Sequence, residues 1–548
     1  MKGGIGTLLA TAFVAVAFVS LTDAQKREPI EKPGPPKSGF YDFLNAGSEF
    51  GIGIGITDVL TCTISSLTQP AIYDDNSLID CDAEVPHNET TIAVNPLDPS
   101  HAVGGYHSYQ VSFLGATVIA HIIGTTSATF DGGVSWQQVV PPITPYQFSG
   151  DPALAFDGSG RLYFANIADH EGPGGSFVAP SVIVAHSDDG GLTWTTPTTI
   201  AVGKGAVAGQ NTRLVFQDKE FIAADTSPTS PFLDRVYVTW TSFQEFFRGV
   251  RPHAVSPIMI SAADRDGTWS AGKTISGSSA HCSAFNSSPN ACDANQFSSP
   301  AVASSGRVYV GFENFNTPAE NQYMVVASND GGQTWSAPRR AGTIHDITFP
   351  LSPFSGRSTL TGCQFRLASP GNIAVDPNDP DTLYAVWADN RNGSVAATNA
   401  DVILARSADG GLTWSEHLLD GSPNDQFYPW VAVAPSGRVD IGYMDRSYSS
   451  GQAECQYGFT LNRVTFDAGG AINSQAAVRV DTGLSDAGRS RWFSGATGGP
   501  TTFLGDYNAV AVGSDGATWS LWTDHRNVIP GTPPARSHGQ HAVGVRTP

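Results

Sequence analysis

The sequence predicts an all-β protein built from repeated units, and three observations lead to that prediction. A phrase with an Asp, two Gly and a final Trp occurs four times in the 548-residue chain: Thr129–Trp136, Ser187–Trp194, Ser328–Trp335 and Ser407–Trp414. Its aspartates are 58, 141 and 79 positions apart, and the longest gap holds a degenerate copy at Asp264–Trp269. The 59 Gly, 36 Pro and only 15% charged residues are typical of short strands joined by turns. Such a repeat indicates an array of similar units.

The repeated phrase, called the turn motif below, predicts a tight turn between two antiparallel strands. The Asp side chain can accept hydrogen bonds from nearby backbone N–H groups, and the two Gly allow positive φ without a Cβ clash. The Ser or Thr can bond back to the Asp, while the Trp buries apolar surface beside the turn. We therefore predict structural rather than catalytic roles for the motif aspartates, which are Asp131, Asp189, Asp330 and Asp409.

From residue 87 onward, an apolar run followed by a turn and a second strand occurs seven times. These units begin near residues 87, 149, 209, 296, 369, 425 and 503. The pattern predicts a β-propeller of seven four-stranded antiparallel blades. A six-bladed ring is the alternative, with one strand pair belonging to an insertion. The last unit lacks a fourth strand, and we expect a leader strand around Gly51–Thr57 to cover that edge and close the ring.

The chain divides into three predicted segments. Residues 1–24 resemble a signal peptide, with Lys2, an apolar run from Ile5 to Leu21 and small residues up to Ala24. An uncleaved membrane anchor is the alternative interpretation of this run. Residues 25–86 form a leader, and residues 87–548 form the propeller. We therefore expect a secreted protein, extracellular or periplasmic, that is monomeric and not membrane-bound after cleavage.

Six Cys in an exported chain favour disulfides. Proximity suggests the pairs Cys62–Cys81 and Cys282–Cys292, which leaves Cys363–Cys455, although six Cys allow about 15 connectivities. No Cys-x-x-Cys pattern predicts a zinc site, and we assign no metal ligands and no cofactor. The net charge of −20 opposes binding to nucleic acid and anionic membranes.

Because successive strands reverse direction, the turn motifs lie on one face of the disk and the starts of the innermost strands lie on the other. Acidic residues recur at those starts, and we predict catalytic roles for Glu89, Asp151 and Asp506. Two carboxyl groups at a suitable separation can act as acid and base in glycoside hydrolysis. The alternative is that these carboxylates hold a structural Ca²⁺ or a water cluster.

Further polar side chains at the same face are predicted to bind substrate. They are Arg391, Arg446, Arg526, Asp389, Asp524, Tyr507 and His107. Guanidinium groups can bind the carboxylate or sulfate of a sugar acid through two parallel hydrogen bonds. The alternative is structural, with each arginine paired to an aspartate of its own or the next blade.

The turn motif resembles the Asp box, also called the bacterial neuraminidase repeat, and the chain resembles sialidase-like Asp-box propellers from residue 87 to about 546. This resemblance implies a propeller fold and activity on glycans. The chain departs from the sialidase pattern because no Arg occurs between Arg27 and Arg161, which excludes the Arg-Ile-Pro segment of the first blade. No sialidase catalytic residue is carried over.

Three functions are open at this point. The favoured one is a secreted propeller that binds and cleaves a carbohydrate or glycoconjugate in the manner of an exo-glycosidase. A non-catalytic propeller that binds glycan or protein is the second. A polysaccharide lyase is the third, because His107, His170 and His525 could serve in proton abstraction.

Overall fold

The computed structural model describes most of the chain from residue 67 to the C terminus. The described ranges are 67–70, 76–80, 85–114, 117–170, 180–204, 214–248, 251–283, 286–316, 321–353, 356–368, 371–451, 454–490, 501–528 and 537–548. Within them the regular structure is β, with only two short 3₁₀ segments, Arg446–Tyr448 and Ala487–Arg489. The predicted signal peptide and the Gly51–Thr57 segment lie outside these ranges.

The strands form seven antiparallel sheets, each with at least four strands. The strands of the first blade are β3 (His87–Val94), β4 (Ala102–Leu114), β5 (Thr117–Thr129) and β6 (Ser135–Val139), with β1 (Leu67–Pro70) added at the edge. The strands of the second blade are β7 (Phe148–Phe156), β8 (Leu162–Asp169), β9 (Ser181–Ser187) and β10 (Thr198–Ala201). The strands of the third blade are β11 (Leu214–Ala224), β12 (Val236–Arg248), β14 (Ile258–Ala263) and β15 (Lys273–Thr274), with β13 (Arg251–Val255) beside β12.

The remaining four sheets follow the same order from the centre outward. The fourth blade has β16 (Asn295–Val302), β17 (Val308–Phe315), β18 (Asn321–Ser328) and β19 (Arg339–Ile344). The fifth has β20 (Ile373–Asp376), β21 (Asp379–Asp389), β22 (Asp401–Ser407) and β23 (Ser415–Asp420). The sixth has β24 (Gln426–Val433), β25 (Val439–Asp445), β26 (Gln456–Phe466) and β27 (Ile472–Arg479), with β28 (Ser485–Asp486) beside β26. The seventh has β29 (Ala509–Val512), β30 (Thr518–Asp524), β31 (His541–Thr547) and β2 (Ser77–Leu78).

The prediction of seven four-stranded blades is confirmed, and the six-bladed alternative is wrong. The ring is closed where the beginning of the described chain meets its end. Leu78 pairs with Val543, and the Ile79 N–H donates to the Ala542 carbonyl at 3.0 Å. Residues before position 87 therefore supply the outer strand of the seventh blade, which leaves no free edge there.

The turn motifs join the third and fourth strands of their blades. At Asp189, one carboxylate oxygen accepts the Thr193 backbone N–H at 2.8 Å and the other accepts the Thr193 hydroxyl at 2.6 Å. The Trp194 Nε1–H donates to the Gly191 carbonyl at 3.1 Å, and Gly190 and Gly191 have φ of 77° and 97°. Comparable carboxylate contacts occur at Asp131, Asp330 and Asp409. The motif therefore closes each turn in the way its residues predict.

Two of the three predicted disulfides are confirmed, Cys282–Cys292 and Cys363–Cys455. Cys62 and Cys81 lie outside the described residues. Two disulfides are compatible with an extracellular protein. In the part of the chain that the structure covers, no helix is long and apolar enough to cross a membrane.

The turn motifs and the innermost strand starts occupy opposite faces of the disk, as the alternation of strands requires. Thr129, which precedes the first turn motif, pairs with Ala102 at the start of β4. His87, at the start of β3, pairs with Ser108, six residues further along β4. We call the face that carries the starts of the innermost strands the channel face, because these strands surround the axis of the propeller.

Candidate functional site

The innermost strands of five blades share an unusual backbone step at the channel face. A non-glycine residue there has φ between 51° and 54°, and these residues are Glu89, Asp151, Lys219, Phe297 and Tyr428. The strand register shifts at each of these positions, which is the mark of a β-bulge. A bulge changes the direction of a side chain, and positive φ in such residues costs about 1–3 kcal/mol each. Five repeats of the same strained step indicate a built feature of the channel face.

Seven side chains at this face form what we call the channel cluster. Its members are Glu89, His107, Asp151, Lys219, Arg366, Asp506 and Tyr507. Three of them, Glu89, Asp151 and Lys219, occupy bulge positions. All seven are buried, and Glu89, His107 and Asp151 have no exposed surface.

His107 lies between the two acidic side chains of the first and second blades. Its Nε2 is 3.3 Å from a Glu89 carboxyl oxygen and 3.5 Å from a carboxyl oxygen of Asp151. The Asp151 backbone N–H donates to Nε2 at 2.5 Å, so this nitrogen carries the lone pair. The proton is then on Nδ1, which lies 3.1 Å from the Asn88 side-chain oxygen and 2.9 Å from the Tyr109 hydroxyl. The ring is therefore fixed as a neutral imidazole between two carboxyl groups.

Asp506 and Arg366 form a buried pair on the other side of Glu89. The Arg366 Nε donates to one Asp506 oxygen at 3.0 Å, and an η nitrogen of the guanidinium donates to the other. The Asp506 backbone N–H donates to Glu89 Oε1 at 3.1 Å, which joins this pair to the acidic group. Lys219 Nζ lies 3.2 Å from the centre of the Tyr507 ring and has no hydrogen-bond partner among the described residues.

The two carboxyl groups nearest His107 have pKa values displaced in opposite directions. Burial, followed by the charge of Asp151, raises the pKa of Glu89 well above its usual value. Burial also acts to raise the pKa of Asp151, but the positive charge of Lys219 and the contact with His107 outweigh it and lower that pKa. Burial lowers the pKa of His107. Glu89 is therefore the weaker acid of the two and Asp151 the stronger, which suits a proton donor beside an ionised partner.

The structure brings together five of the residues predicted from sequence: Glu89, Asp151, Asp506, Tyr507 and His107. These side chains come from the first, second and seventh blades. Sequence reasoning noted Lys219 before the third innermost strand without assigning a role to it. It missed Arg366, which lies in the long connection between the fourth and fifth blades. The one feature of the sequence that could have indicated Arg366 is Cys363, three positions earlier. A disulfide from Cys363 fixes this segment to the sixth blade.

The three arginines predicted to bind substrate are each held by an aspartate. The N–O distances are 2.8 Å for Arg391 with Asp389, 2.7 Å for Arg446 with Asp425, and 2.8 Å for Arg526 with Asp524. Two of the arginines also reach the preceding blade: Arg391 donates to the Thr343 carbonyl at 3.1 Å, and Arg526 donates to the Thr482 hydroxyl at 2.6 Å. These contacts match the structural alternative, and the substrate-binding role stays a prediction.

Metal binding at the channel cluster has limited support. One ligand atom each from Glu89, His107 and Asp151 could be offered to an ion, since these atoms lie within 4.8 Å of one another. Calcium prefers six to eight oxygen ligands, however, and the positive charge of Lys219 nearby opposes a second cation. The calcium alternative therefore stays a prediction.

No family model and no curated protein matches the chain. Solved structures similar to it include a protein of unknown function from Dyadobacter fermentans, with 13% identity, a TM-score of 0.42, and coverage of 87% of this chain and 98% of that one. NanB sialidase from Streptococcus pneumoniae has 10% identity, a TM-score of 0.39, and coverage of 84% and 93%. A PL25 ulvan lyase bound to a saccharide has 12% identity, a TM-score of 0.42, and coverage of 72% and 81%. Similarity at this level transfers neither residue roles nor activity to this chain.

Proposed function

We propose that this protein hydrolyses a glycosidic bond at the channel face, with Glu89 as the acid and Asp151 as the nucleophile. One observation carries the proposal. Two buried carboxyl groups lie within 4.8 Å of each other, their pKa values are displaced in opposite directions, and His107 Nε2 contacts both. Assigning the acid and the ionised partner from opposed pKa displacements is the general rule for carboxyl pairs.

The separation of the carboxyl groups favours a retaining reaction. Retaining glycosidases keep their carboxyl groups about 5–5.5 Å apart, whereas inverting enzymes need about 6.5–9.5 Å to admit a water. In the proposed sequence Glu89 gives its proton to the leaving oxygen while the Asp151 carboxylate bonds to the anomeric carbon. A water then cleaves this ester as Glu89 takes the proton back, which restores both groups.

The cationic side chains of the channel cluster favour an acidic sugar. Lys219 is buried, and its ammonium group rests on Tyr507 without a hydrogen-bond partner in the described part of the chain. A sugar carboxylate would supply the acceptor that this ammonium group lacks, because a buried cation without one is unfavourable. Tyr507 also offers an aromatic ring near the carboxyl groups of Glu89 and Asp151. We therefore propose a uronic or sialic acid residue as the group bound at this site.

The complete burial of Glu89 and Asp151 favours a second candidate, a non-catalytic propeller that binds glycan or protein on its surface. In the described conformation solvent does not reach either carboxyl group, so hydrolysis requires this face to open. The binding function requires no opening, and the channel cluster would then only join the blades. The lyase alternative has less support, because burial raises the pKa of Tyr109 and His107 Nε2 already accepts a hydrogen bond from Asp151.

The test uses the full mature chain on a panel of neutral and acidic glycans, with products followed by mass spectrometry. Glu89→Gln and Asp151→Asn keep side-chain volume and should each reduce the rate about 10²–10⁴-fold. Asp188→Asn is the matched control, since this exposed side chain lies in a turn motif on the opposite face and should leave the rate unchanged. Circular dichroism checks that each variant is folded.

Each result separates the candidates. A product with retained anomeric configuration by NMR supports the proposed reaction, while an unsaturated product that absorbs in the ultraviolet shows a lyase. Saturable glycan binding with no product from the unaltered protein supports the binding function. Full activity in both Glu89→Gln and Asp151→Asn excludes these residues from the chemistry.

A further inference from the structure

A second group of buried side chains lies where the ring closes, away from the channel cluster. Asp80 follows β2, His87 begins β3 and His541 begins β31. The Nδ1 atoms of both histidines lie 3.2 Å from the same carboxyl oxygen of Asp80. All three side chains are fully buried. One ligand atom from each lies within 4.8 Å of the other two.

The imidazole of His87 is only partly satisfied by the protein. Its Nε2 has no hydrogen-bond partner among the described residues, while Nδ1 contacts the Asp80 carboxylate at 3.2 Å. The ring packs at a steep angle against that of Tyr106, with centroids 5.2 Å apart, which holds it in place. His87 Nδ1 and the Asp80 carboxylate therefore stand close enough to bind one cation together.

We propose that Asp80, His87 and His541 bind a zinc ion that fastens the first blade to the seventh. Zinc bonds of about 2.0–2.2 Å to nitrogen and oxygen place tetrahedral ligand atoms about 3.3–3.5 Å apart, which is close to the two 3.2 Å separations. Two imidazoles and a carboxylate are also a ligand set that suits zinc.

Neighbouring groups orient these ligands. The Ala542 backbone N–H donates to Asp80 at 2.8 Å, which fixes the carboxylate. The side-chain amide nitrogen of Asn527 lies 3.3 Å from His541 Nε2 and donates to it, which leaves the ring proton on Nδ1, toward Asp80. Metal binding at His541 Nδ1 therefore requires this amide to turn over, so that its oxygen accepts a proton at Nε2, an arrangement common around ligating histidines. After that turn, both histidines can offer Nδ1.

A zinc ion at this site would stabilise the folded ring, because its ligands come from three segments that meet only when the ring closes. Asp80 and His541 are 461 positions apart in sequence, so the unfolded chain does not form the site. An ion that binds only the folded state raises the free energy of unfolding. None of the usual short zinc-ligand spacings relates Asp80, His87 and His541 to one another, so no sequence motif marks this set.

The test uses mature protein made without a histidine tag. Metal content after dialysis, measured by mass spectrometry, should be one zinc per chain, and cobalt substitution should give the absorption bands of a tetrahedral nitrogen–oxygen site. Removing the ion with a chelator should lower the thermal midpoint, and one equivalent of Zn²⁺ should restore it. The proposal is overturned if the unaltered protein retains no zinc and its thermal midpoint changes with neither chelator nor Zn²⁺. This result needs no variant.

The variants locate the site. His87→Gln and Asp80→Asn should each weaken zinc binding at least 100-fold and abolish the response of the midpoint to Zn²⁺. His417→Gln is the matched control, because this partly exposed histidine lies on outer strand β23 of the fifth blade, and it should bind zinc like the unaltered protein. Equal zinc affinity in His87→Gln and the unaltered protein would refute the assignment. Retained zinc in both His87→Gln and Asp80→Asn, but not after Glu89→Gln, would place the ion in the channel cluster instead.

Discussion

The buried pair of Arg366 and Asp506 offers the sharpest test of how the channel face is held together. Arg366→Met removes the guanidinium and keeps an unbranched apolar stem. The side chains of Arg366 and Asp506 are only 6% and 2% exposed, and two parallel hydrogen bonds join them. Water cannot replace the lost partner at this depth, so Asp506 loses the charge paired with it and the two hydrogen bonds from Arg366. Breaking such a pair from one side costs about 3–5 kcal/mol of unfolding free energy.

The magnitude can be set against an exposed pair in the same molecule. Arg235→Met breaks the pair with Asp264, whose carboxylate is 77% exposed and therefore screened by solvent. We expect a cost of about 0–1 kcal/mol there. The double variant Arg366→Met/Asp506→Leu should recover most of the loss, because replacing both members of a buried pair by apolar groups is often neutral or stabilising.

Urea denaturation followed by circular dichroism and tryptophan fluorescence measures these differences. The loss of unfolding free energy in Arg366→Met should also depend on pH. Burial raises the pKa of Asp506 even with Arg366 present, so without the arginine the carboxyl group becomes neutral at a still higher pH. The deficit of Arg366→Met should therefore shrink as pH falls. A single-variant cost below about 1 kcal/mol, or a double variant that loses the sum of both singles, would refute the reasoning.

Three further outcomes follow from other parts of the molecule. Replacing Cys363 and Cys455 together by Ser removes a disulfide that joins positions 92 residues apart, and it should cost about 4.6 kcal/mol in the chain-entropy model. A cost under about 1 kcal/mol in urea would contradict this. The next prediction applies to protein kept metal-free with chelator. There, burial acts to raise the pKa of Asp80, but the two nearby histidines outweigh it and lower that pKa to about 2. The ionised Asp80 should therefore add about 2–3 kcal/mol to the free energy of unfolding above pH ~4, and this contribution should be lost toward pH ~2. Acid titration should show this loss, and Asp80→Asn should remove it. Gly371→Ala would place a Cβ 1.6 Å from a carbonyl oxygen of β21 and should cost about 3 kcal/mol or more, whereas Gly451→Ala, with no atom within 4 Å, is the matched control.

The sequence was sufficient for the architecture because the relevant information is local and repeated. Each turn motif carries its own hydrogen-bond acceptor, glycines and tryptophan, so the turns at Asp189 and Asp409 form by the same contacts. The alternation of strands then fixes which face each loop occupies. For this reason Glu89, Asp151 and Asp506 could be predicted to lie on one face: they occupy corresponding places in three units of a ring.

The contacts between units could not be predicted in the same way. Arg366 comes from an irregular connection without periodicity, and only the folded ring brings it to Asp506. Lys219 was visible beside its innermost strand, but its position over Tyr507 depends on how segments far apart in sequence meet at the channel face. The arginines at the ends of the second strands were equally visible, and whether they face a ligand or an aspartate depends on side-chain geometry.

The sequence by itself determined seven similar sectors, the chemistry of their turns and the acidic character of one face. Tertiary structure alone decided that Glu89 and Asp151 share one neutral histidine, and that Asp80 meets His541 across the closure of the ring. The physical reason is one of range. Turns and strands depend on neighbours a few residues away, whereas pKa values and candidate metal sites depend on atoms within a few ångströms that any part of the chain can supply.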